Sequence, residues 1–360
     1  MPVITQKPEQ PPQVACDFNL EDHCMMRFDE TSFETLVRVQ DLELVSELGR
    51  GAYGVVDQMR HRPTGKEMAV KRITSSMNDE EQRRMFTELR ACMRSDCCPQ
   101  VRVHLIRSLE AATITQMVRF FGAMFREGDV WLCMEVMRIS LDKFYRAAFL
   151  VATGIPEPFV ARVALSVVEG LNFMKEQMQL IHRDVKPSNI LLSDKGEVKL
   201  CDFGISGVLT DSLAKTVSAG CKPYMPPERI EGEHRDRYDV RADVWSLGIT
   251  LVEISTGQHP YAKWRTPFEQ LKQVVVEPPP KLPAELGFSS LSHDFIAHCL
   301  TKDFTKRPKY AELLAHPLLE TARNQKPTAA AKFINEVLDK LQDVDASELS
   351  VELRQKLGLK

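Results

Sequence analysis

The stretch Ile181 to Asn189, I-H-R-D-V-K-P-S-N, constrains the fold more than any other. An apolar pair, Leu180 and Ile181, leads into titratable residues, a Lys, a turn-forming Pro and an Asn, and the apolar run Ile190 to Leu192 follows at once. Burying both flanks while presenting the polar middle makes a rigid loop with Asp184, Lys186 and Asn189 at its mouth. The chain has the material for such burial: of its 360 residues 43% are hydrophobic and 27% charged, enough for one large or two modest domains. A net charge of −3 offers no global attraction to nucleic acid or to an anionic membrane. No apolar run reaches the ~18–20 residues of a membrane span. The start, M-P-V-I-T-Q-K-P-E-Q-P-P-Q, lacks the apolar core of a signal peptide. The nine cysteines are scattered and read as reduced thiols of a cytoplasmic protein, with the nucleus also open. His104 lies near the adjacent Cys97 and Cys98, but a fourth zinc ligand is missing.

Residues 1–41 read as an N-terminal extension, largely disordered, Pro/Gln-rich to about Gln13. Its scattered Lys7, Arg27 and Arg38 do not make the basic cluster of a docking arm. Leu42 to Leu48 alternates apolar and polar, which predicts a strand, and runs into G-R-G-A-Y-G-V-V. Glycines at 49, 51 and 54 let the backbone approach phosphates. A dinucleotide site wants a helix next and an acidic residue about 20 positions on, whereas V-V-D-Q-M-R-H reads as a second strand. A turn at 62–65 and a third strand over Glu67 to Ile73 follow, the latter carrying Lys71. The pattern predicts a helix over 78–93: Asp79, Glu80 and Glu81 suit its positive end, Met85, Leu89 and Cys92 share a face, and Glu88 lies on it. The stretch 101–116, V-R-V-H-L-I-R-S-L-E-A-A-T-I-T-Q, is longer than a connection at this place needs. The next strand is expected over Met117 to Gly122. Val130 to Met134 reads as another, and Glu135 to Met137 as the passage to a second lobe.

Ser140, Leu141 and Asp142 open the first helix of that lobe. Pro156 and Pro158 mark the entry of a second, whose Phe159, Val163, Val167 and Leu171 recur at period four. A turn at 194–196 and a strand over Val198 to Cys201 lead to Asp202, Phe203 and Gly204. The segment beyond holds Ser212 and Thr216 in S-L-A-K-T and ends in Pro226-Pro227-Glu228. Asp243 to Gly248 opens a long buried helix. Residues 321–360 are amphipathic, with Phe333, Val337 and Leu341 on one face. Packing on the protein's own large lobe is one reading of that face; a docking surface for an upstream activator is the other.

Taken in order, the strand–glycine loop–strand unit, A-V-K, H-R-D-x-x-x-x-N, D-F-G and P-P-E resemble the protein kinases. The fold this implies is α+β and bilobal, a small β-rich N-lobe with one main helix and a larger, mostly helical C-lobe. The kinase domain would span 42–319, with N-lobe 42–134, hinge 135–138, C-lobe 139–319 and an atypical insertion at 101–116; 320–360 would form a C-terminal helical tail. The implied cofactors are ATP and Mg²⁺. Phosphoryl transfer needs positioning and charge neutralisation more than covalent chemistry. The resemblance implies that Lys71, held by Glu88, orients the α/β-phosphates, and that Asn189 and Asp202 offer oxygens to Mg²⁺. Asp184 would accept the substrate hydroxyl's proton and Lys186 would neutralise the moving γ-phosphate. Leu48, Gly49, Arg50, Gly51, Ala52, Tyr53, Gly54, Val55 and Val56 would cover the nucleotide, with Ala69 beside Lys71. Met134 (the gatekeeper), Glu135 and Met137 would meet it at the hinge, and Ser188, Asn189, Leu191 and Asp202 from below. Arg307, in K-D-F-T-K-R-P, stands where it would pair with Glu228.

Longer matches narrow the resemblance. S-x-A-K-T, G-C-K-P-Y-M-x-P-E, R-E-G-D-V-W-x-C-M-E, S-L-D-K-F-Y and T-P-F-E-Q-L-K-Q-V-V closely resemble the MAP kinase kinases, nearest the stress-activated type. They cover about Leu42 to Leu338, outside 101–116. The implied activity is dual-specificity phosphorylation of the Thr and Tyr in the T-x-Y loop of a downstream stress-activated MAP kinase. The implied switch is phosphorylation of Ser212 and Thr216 by an upstream MAP kinase kinase kinase, with Arg183 reading the phosphates. The chain departs from the family at Pro226, where a small residue is usual, and at Arg138-Ile139, where an acidic-polar pair is expected. The largest departure is 101–116, open to three readings: a retained intron, a tolerated surface loop, or a loop that biases the Glu88 helix. A catalytically impaired scaffold and a Ser/Thr kinase of another branch are the alternatives to the main reading.

Overall fold

Successive side chains of a strand point to opposite faces, and Leu42 to Leu48 alternates apolar and polar accordingly. The computed structural model describes residues 22–29, 32–51, 54–74, 116–126, 129–178, 181–201, 222–231, 239–261, 267–344 and 357. Strands β1 (His23–Met26) and β2 (Thr35–Arg38) form an antiparallel hairpin. Next come β3 (Leu42–Gly51), β4 (Gly54–His61), β5 (Glu67–Thr74), β6 (Phe120–Arg126) and β7 (Asp129–Met134). They make one antiparallel sheet in the order β3-β4-β5-β7-β6.

The hairpin packs on one face of this sheet. Met26, Phe28, Val37 and Val39 bury against Met59, Met68, Val70, Phe121, Met124 and Cys133. Phe28 meets Phe121 edge to face at 5.3 Å between centroids. Gly122 permits the close approach: a Cβ there would lie 2.8 Å from Cys24 Sγ. The extension expected to be largely disordered to residue 41 is therefore corrected over 22–29 and 32–41. Its composition is mixed, but its few apolar residues have a sheet face to cover, and that face belongs to strands much later in the chain.

The large lobe begins with β8 (Ile139–Ser140), which pairs with β9 (Ile190–Leu192), and β9 with β10 (Val198–Leu200). Around this small sheet lie α1 (Leu141–Leu150), α2 (Glu157–Met178), α3 (Pro227–Glu231), α4 (Arg241–Thr256), α5 (Pro267–Val276), α6 (Ser290–Cys299), α7 (Tyr310–Leu314), α8 (Pro317–Arg323) and α9 (Pro327–Gln342). Helix α4 is buried on all sides from Ala242 to Ser255, as an apolar helix at the centre of a lobe must be. Among the described residues no helix is long and apolar enough to cross a membrane.

The strand expected over Met117 to Gly122 starts only at Phe120. Met117 and Val118 instead cross between the lobes: Met117 bridges Leu200 in parallel, and Val118 N donates to Leu200 O at 2.9 Å. Leu200 N donates to the carbonyl of Gln116 at 2.8 Å, and Gln116 Nε2 to Glu169 Oε2 at 2.8 Å. The last residue of the 101–116 stretch is thus tied into the lobe junction, while 101–115 lie outside the described residues. The tail helix α9 packs on the large lobe. Ile334 and Val337 are fully buried, and Phe333 meets Phe144 and Phe159 at 5.6 and 5.2 Å.

Candidate active site

Residues 181–186 carry no helix or strand, so their backbone amides need partners from elsewhere. Asp243, in the first turn of α4 and fully buried, supplies them. Its Oδ2 accepts from His182 N at 3.0 Å and its Oδ1 from Arg183 N at 2.9 Å, while Tyr310 OH donates to Oδ2 at 3.0 Å. Burial pushes the Asp243 carboxyl above its ordinary range; nearby His182, the Tyr310 hydroxyl and the two amides oppose that rise. Arg183 sits at φ +68°, a left-handed conformation that a side chain with a Cβ rarely adopts. Two amides fixed on one carboxylate hold it there. The buried ring of His182 donates from Nε2 to Cys201 O at 3.0 Å and accepts Asp184 N at Nδ1, at 3.3 Å. That pair of bonds selects one neutral tautomer and ties the loop to the end of β10.

The polar mouth forms as the spacing predicts. Asp184 Oδ2 accepts from Lys186 Nζ at 2.8 Å and from Asn189 Nδ2 at 2.9 Å; the same amide reaches Asp184 O at 2.9 Å. Both donors share one carboxylate oxygen, Oδ2. Asn189 is buried, and its Oδ1 accepts from Ser188 Oγ at 3.5 Å. Cys201 N donates to Asn189 O at 3.0 Å, so the chain enters residue 202 from beside Asn189.

Above the loop, alternation on β5 puts Ala69 and Lys71 on the face opposite Met68 and Val70. Lys71 pairs with Val56 on one side and Leu132 on the other. Gly51 and Gly54 face each other across the β3–β4 turn. Gly54 has φ +142°, and a Cβ on it would lie 1.8 Å from the carbonyl oxygen of Arg72, so only glycine lets the loop close against β5. Asp57, 2% exposed, accepts from Arg72 Nε at 2.8 Å and secures the two strands behind that turn.

At the hinge, Met134 pairs with Ala69, and Met134 and Leu191 pack against the buried cluster of Val118, Met137 and Cys201. Glu135 turns its carboxylate into the lobe junction, where it accepts from Lys199 Nζ at 2.8 and 3.0 Å and from Arg119 N at 2.7 Å. The carbonyl of Glu135 and the N–H and carbonyl of Met137 make no backbone hydrogen bond among the described residues. Unspent donors and acceptors beside an apolar cluster fit the edge and faces of a purine. Val118 and Cys201 join this lining without a sequence signal of their own; only their packing against Met137 reveals them. Arg138 is exposed and pairs with Asp194 at 3.3 Å.

Within the large lobe, α3 is anchored by a buried arginine. Arg307, its side chain fully buried, donates to Glu228 Oε1 and Oε2 at 2.8 and 3.1 Å, the pair expected from the sequence. Tyr224 OH donates to Glu253 Oε2 at 2.5 Å, and Tyr145 OH to Oε1 at 2.8 Å. Burial pushes the Glu253 carboxyl up, and the two hydroxyls pull it back. Ala52, Tyr53, Glu88, Asp202, Ser212 and Thr216 lie outside the described residues. Away from the cleft, Asp294, His298 and His316 come within metal-ligand reach of one another, a grouping the sequence spacing did not suggest. His316, however, caps α8 by accepting Leu318 N at Nδ1, at 3.1 Å, and so carries its proton on the Nε2 that faces Asp294 at 3.0 Å.

Residues 42–319 match the protein kinase domain family. The chain is 60% identical over 339 residues to the dual specificity mitogen-activated protein kinase kinase sek-1 of Caenorhabditis elegans, covering 94% of this chain and 95% of that one. It is 43% identical over 297 residues to human dual specificity mitogen-activated protein kinase kinase 7, covering 82% of this chain and 66% of the human one. The rat protein of the same name is 44% identical over 284 residues, covering 78% and 63%.

Proposed function

This chain belongs to the protein kinase family and, within it, to the dual-specificity MAP kinase kinases, and on that premise we propose that it transfers the γ-phosphate of ATP to the Thr and the Tyr of a stress-activated MAP kinase's activation loop. The observation that carries the reading is the state of Asp184. One carboxylate oxygen is held by Lys186 and Asn189, and the loop beneath it is fixed by Asp243. The other oxygen is left to take the proton of the attacking hydroxyl. Lys186, two residues away in the chain and already at the carboxylate, is placed to follow negative charge onto the transferred group. Lys71 presents its ammonium from the cleft face of β5 to the α/β-phosphates, with Glu88 as its partner. The hinge backbone receives the adenine and the β3–β4 turn covers the phosphates. Asn189 and Asp202 would hold Mg²⁺, which would supply charge neutralisation at the phosphates.

Activation follows from Ser212 and Thr216. Phosphates placed there by an upstream MAP kinase kinase kinase meet Arg183, whose backbone is already fixed. The setting is cytoplasmic or nuclear, where Cys133, Cys201 and Cys299 stay reduced in the core. The test is the Ser212→Asp/Thr216→Asp protein with ATP, Mg²⁺ and a catalytically inactive MAP kinase, with Asp184→Asn as control. Phosphate on both the Thr and the Tyr of the substrate loop, reduced about 10²–10⁴-fold in the control, is the expected result. Intact nucleotide binding without transfer would point to a scaffold, and a broad Ser/Thr pattern to another branch of kinases.

A further inference from the structure

The first turn of α1 carries a cation where a helix favours an anion. Ser140 caps this helix by accepting Lys143 N, which puts Lys143 at its third position. A positive charge there opposes the helix dipole. Asp142 suits the dipole, but it pairs with Arg146 at 3.0 Å. The Lys143 side chain rises across the mouth of the cleft, and Nζ donates to the carbonyl of Leu48 on β3 at 3.0 Å.

Leu48 is an unusual acceptor for a sheet residue. In the β3–β4 ladder Glu47 pairs with Asp57 and Gly49 with Val56, so Leu48 is the extra residue of a bulge. A bulge leaves its extra residue unpaired in the ladder, and Lys143 takes the carbonyl that the bulge offers. The contact joins the large lobe to the strand that runs directly into Gly49, Gly51 and Gly54.

We propose that Lys143 is a nucleotide-positioning residue: its clasp on Leu48 sets the height at which the glycine turn lies over the phosphates of ATP. A side-chain tie between the lobes, added to the covalent hinge, fixes the approach of β3 and lowers the ordering cost of closing on the nucleotide. Because the clasp acts on binding and not on the reacting atoms, its loss falls on the affinity for nucleotide. The inference rests on use of ATP by this site, and not on the identity of the protein substrate.

Two variants test it in the Ser212→Asp/Thr216→Asp chain. Lys143→Met keeps the aliphatic stem and removes the donor; Lys143→Arg keeps a cationic donor. Loss of one hydrogen bond from a charged group is expected to weaken fluorescent-ADP binding, and to raise KM for ATP, by about fivefold to tenfold in Lys143→Met. On an inactive MAP kinase, kcat should stay within about twofold, the signature of lost uniform binding. KM for the protein substrate should not move, and Lys143→Arg should recover most of the nucleotide affinity. Amide exchange across 42–51 should quicken in Lys143→Met and not in Lys143→Arg. Unchanged nucleotide affinity in Lys143→Met would overturn the proposal, as would a fall in kcat with KM unmoved, or an Arg variant as defective as Met. The ADP measurement needs no protein substrate, so an error in the assigned MAP kinase would leave it intact.

Discussion

Asp243 holds two consecutive amides and a tyrosine hydroxyl on one buried carboxylate, and the left-handed Arg183 depends on that grip. In the sequence Asp243 reads only as the start of a buried helix, because its partners lie sixty or more positions away on either side. Asp184, Lys186 and Asn189 were legible because their spacing within one short loop already brings them together. His259 shows the same contrast. Its ring stands edge-on to Tyr224 at 5.1 Å, and burial lowers it to about 4 from an ordinary 6.5, partly offset by a backbone bond to Pro223. As pH falls from 6.5 toward 4, the unfolded chain takes up a proton that the folded chain refuses. Stability is therefore expected to drop across that window, by up to about 3 kcal/mol from this group. Urea unfolding at several pH values checks it, and His259→Gln should flatten this part of the profile.

Glycines mark the nucleotide turn in the sequence, but the sequence does not rank them. Around Gly49 there is nothing within 4 Å of where a Cβ would stand, whereas at Gly54 the Arg72 carbonyl is 1.8 Å away and φ is +142°. Gly54→Ala is expected to cost about 1–3 kcal/mol of stability through backbone strain. Gly49→Ala should cost under about 1 kcal/mol, the strand position tolerating a side chain. Thermal denaturation of the two variants side by side decides it; equal losses would remove the special role given to Gly54. The strands and most helices were legible from periodicity. Met117 and Val118 were not placed correctly, because an apolar residue suits a sheet and a lobe junction equally well. The bulge at Leu48 had no signal, since it is defined by what β4 pairs with.

Across the whole molecule the β1–β2 hairpin is the clearest departure from expectation. Its removal would uncover Met59, Met68, Val70, Phe121, Met124 and Cys133 together, an apolar face too extensive to leave in water without aggregation. Deleting residues 1–41 is expected to increase binding of an apolar dye and to lower the melting temperature; a truncated protein as stable and as monomeric as the full chain would contradict the packing. The tail follows the same logic at the other end, since Phe333, Ile334 and Val337 complete the core beside α1 and α2. The sequence alone determined the strand pattern, the glycine turn and the polar loop at 181–189, since each is set by residues a few positions apart. Only the tertiary structure decided which other distant groups spend their hydrogen bonds on one another: Asp243 on the loop and Lys143 on Leu48, with the hairpin packed on the sheet. Such contacts gain their strength from burial and proximity, and both arise only when the layers pack.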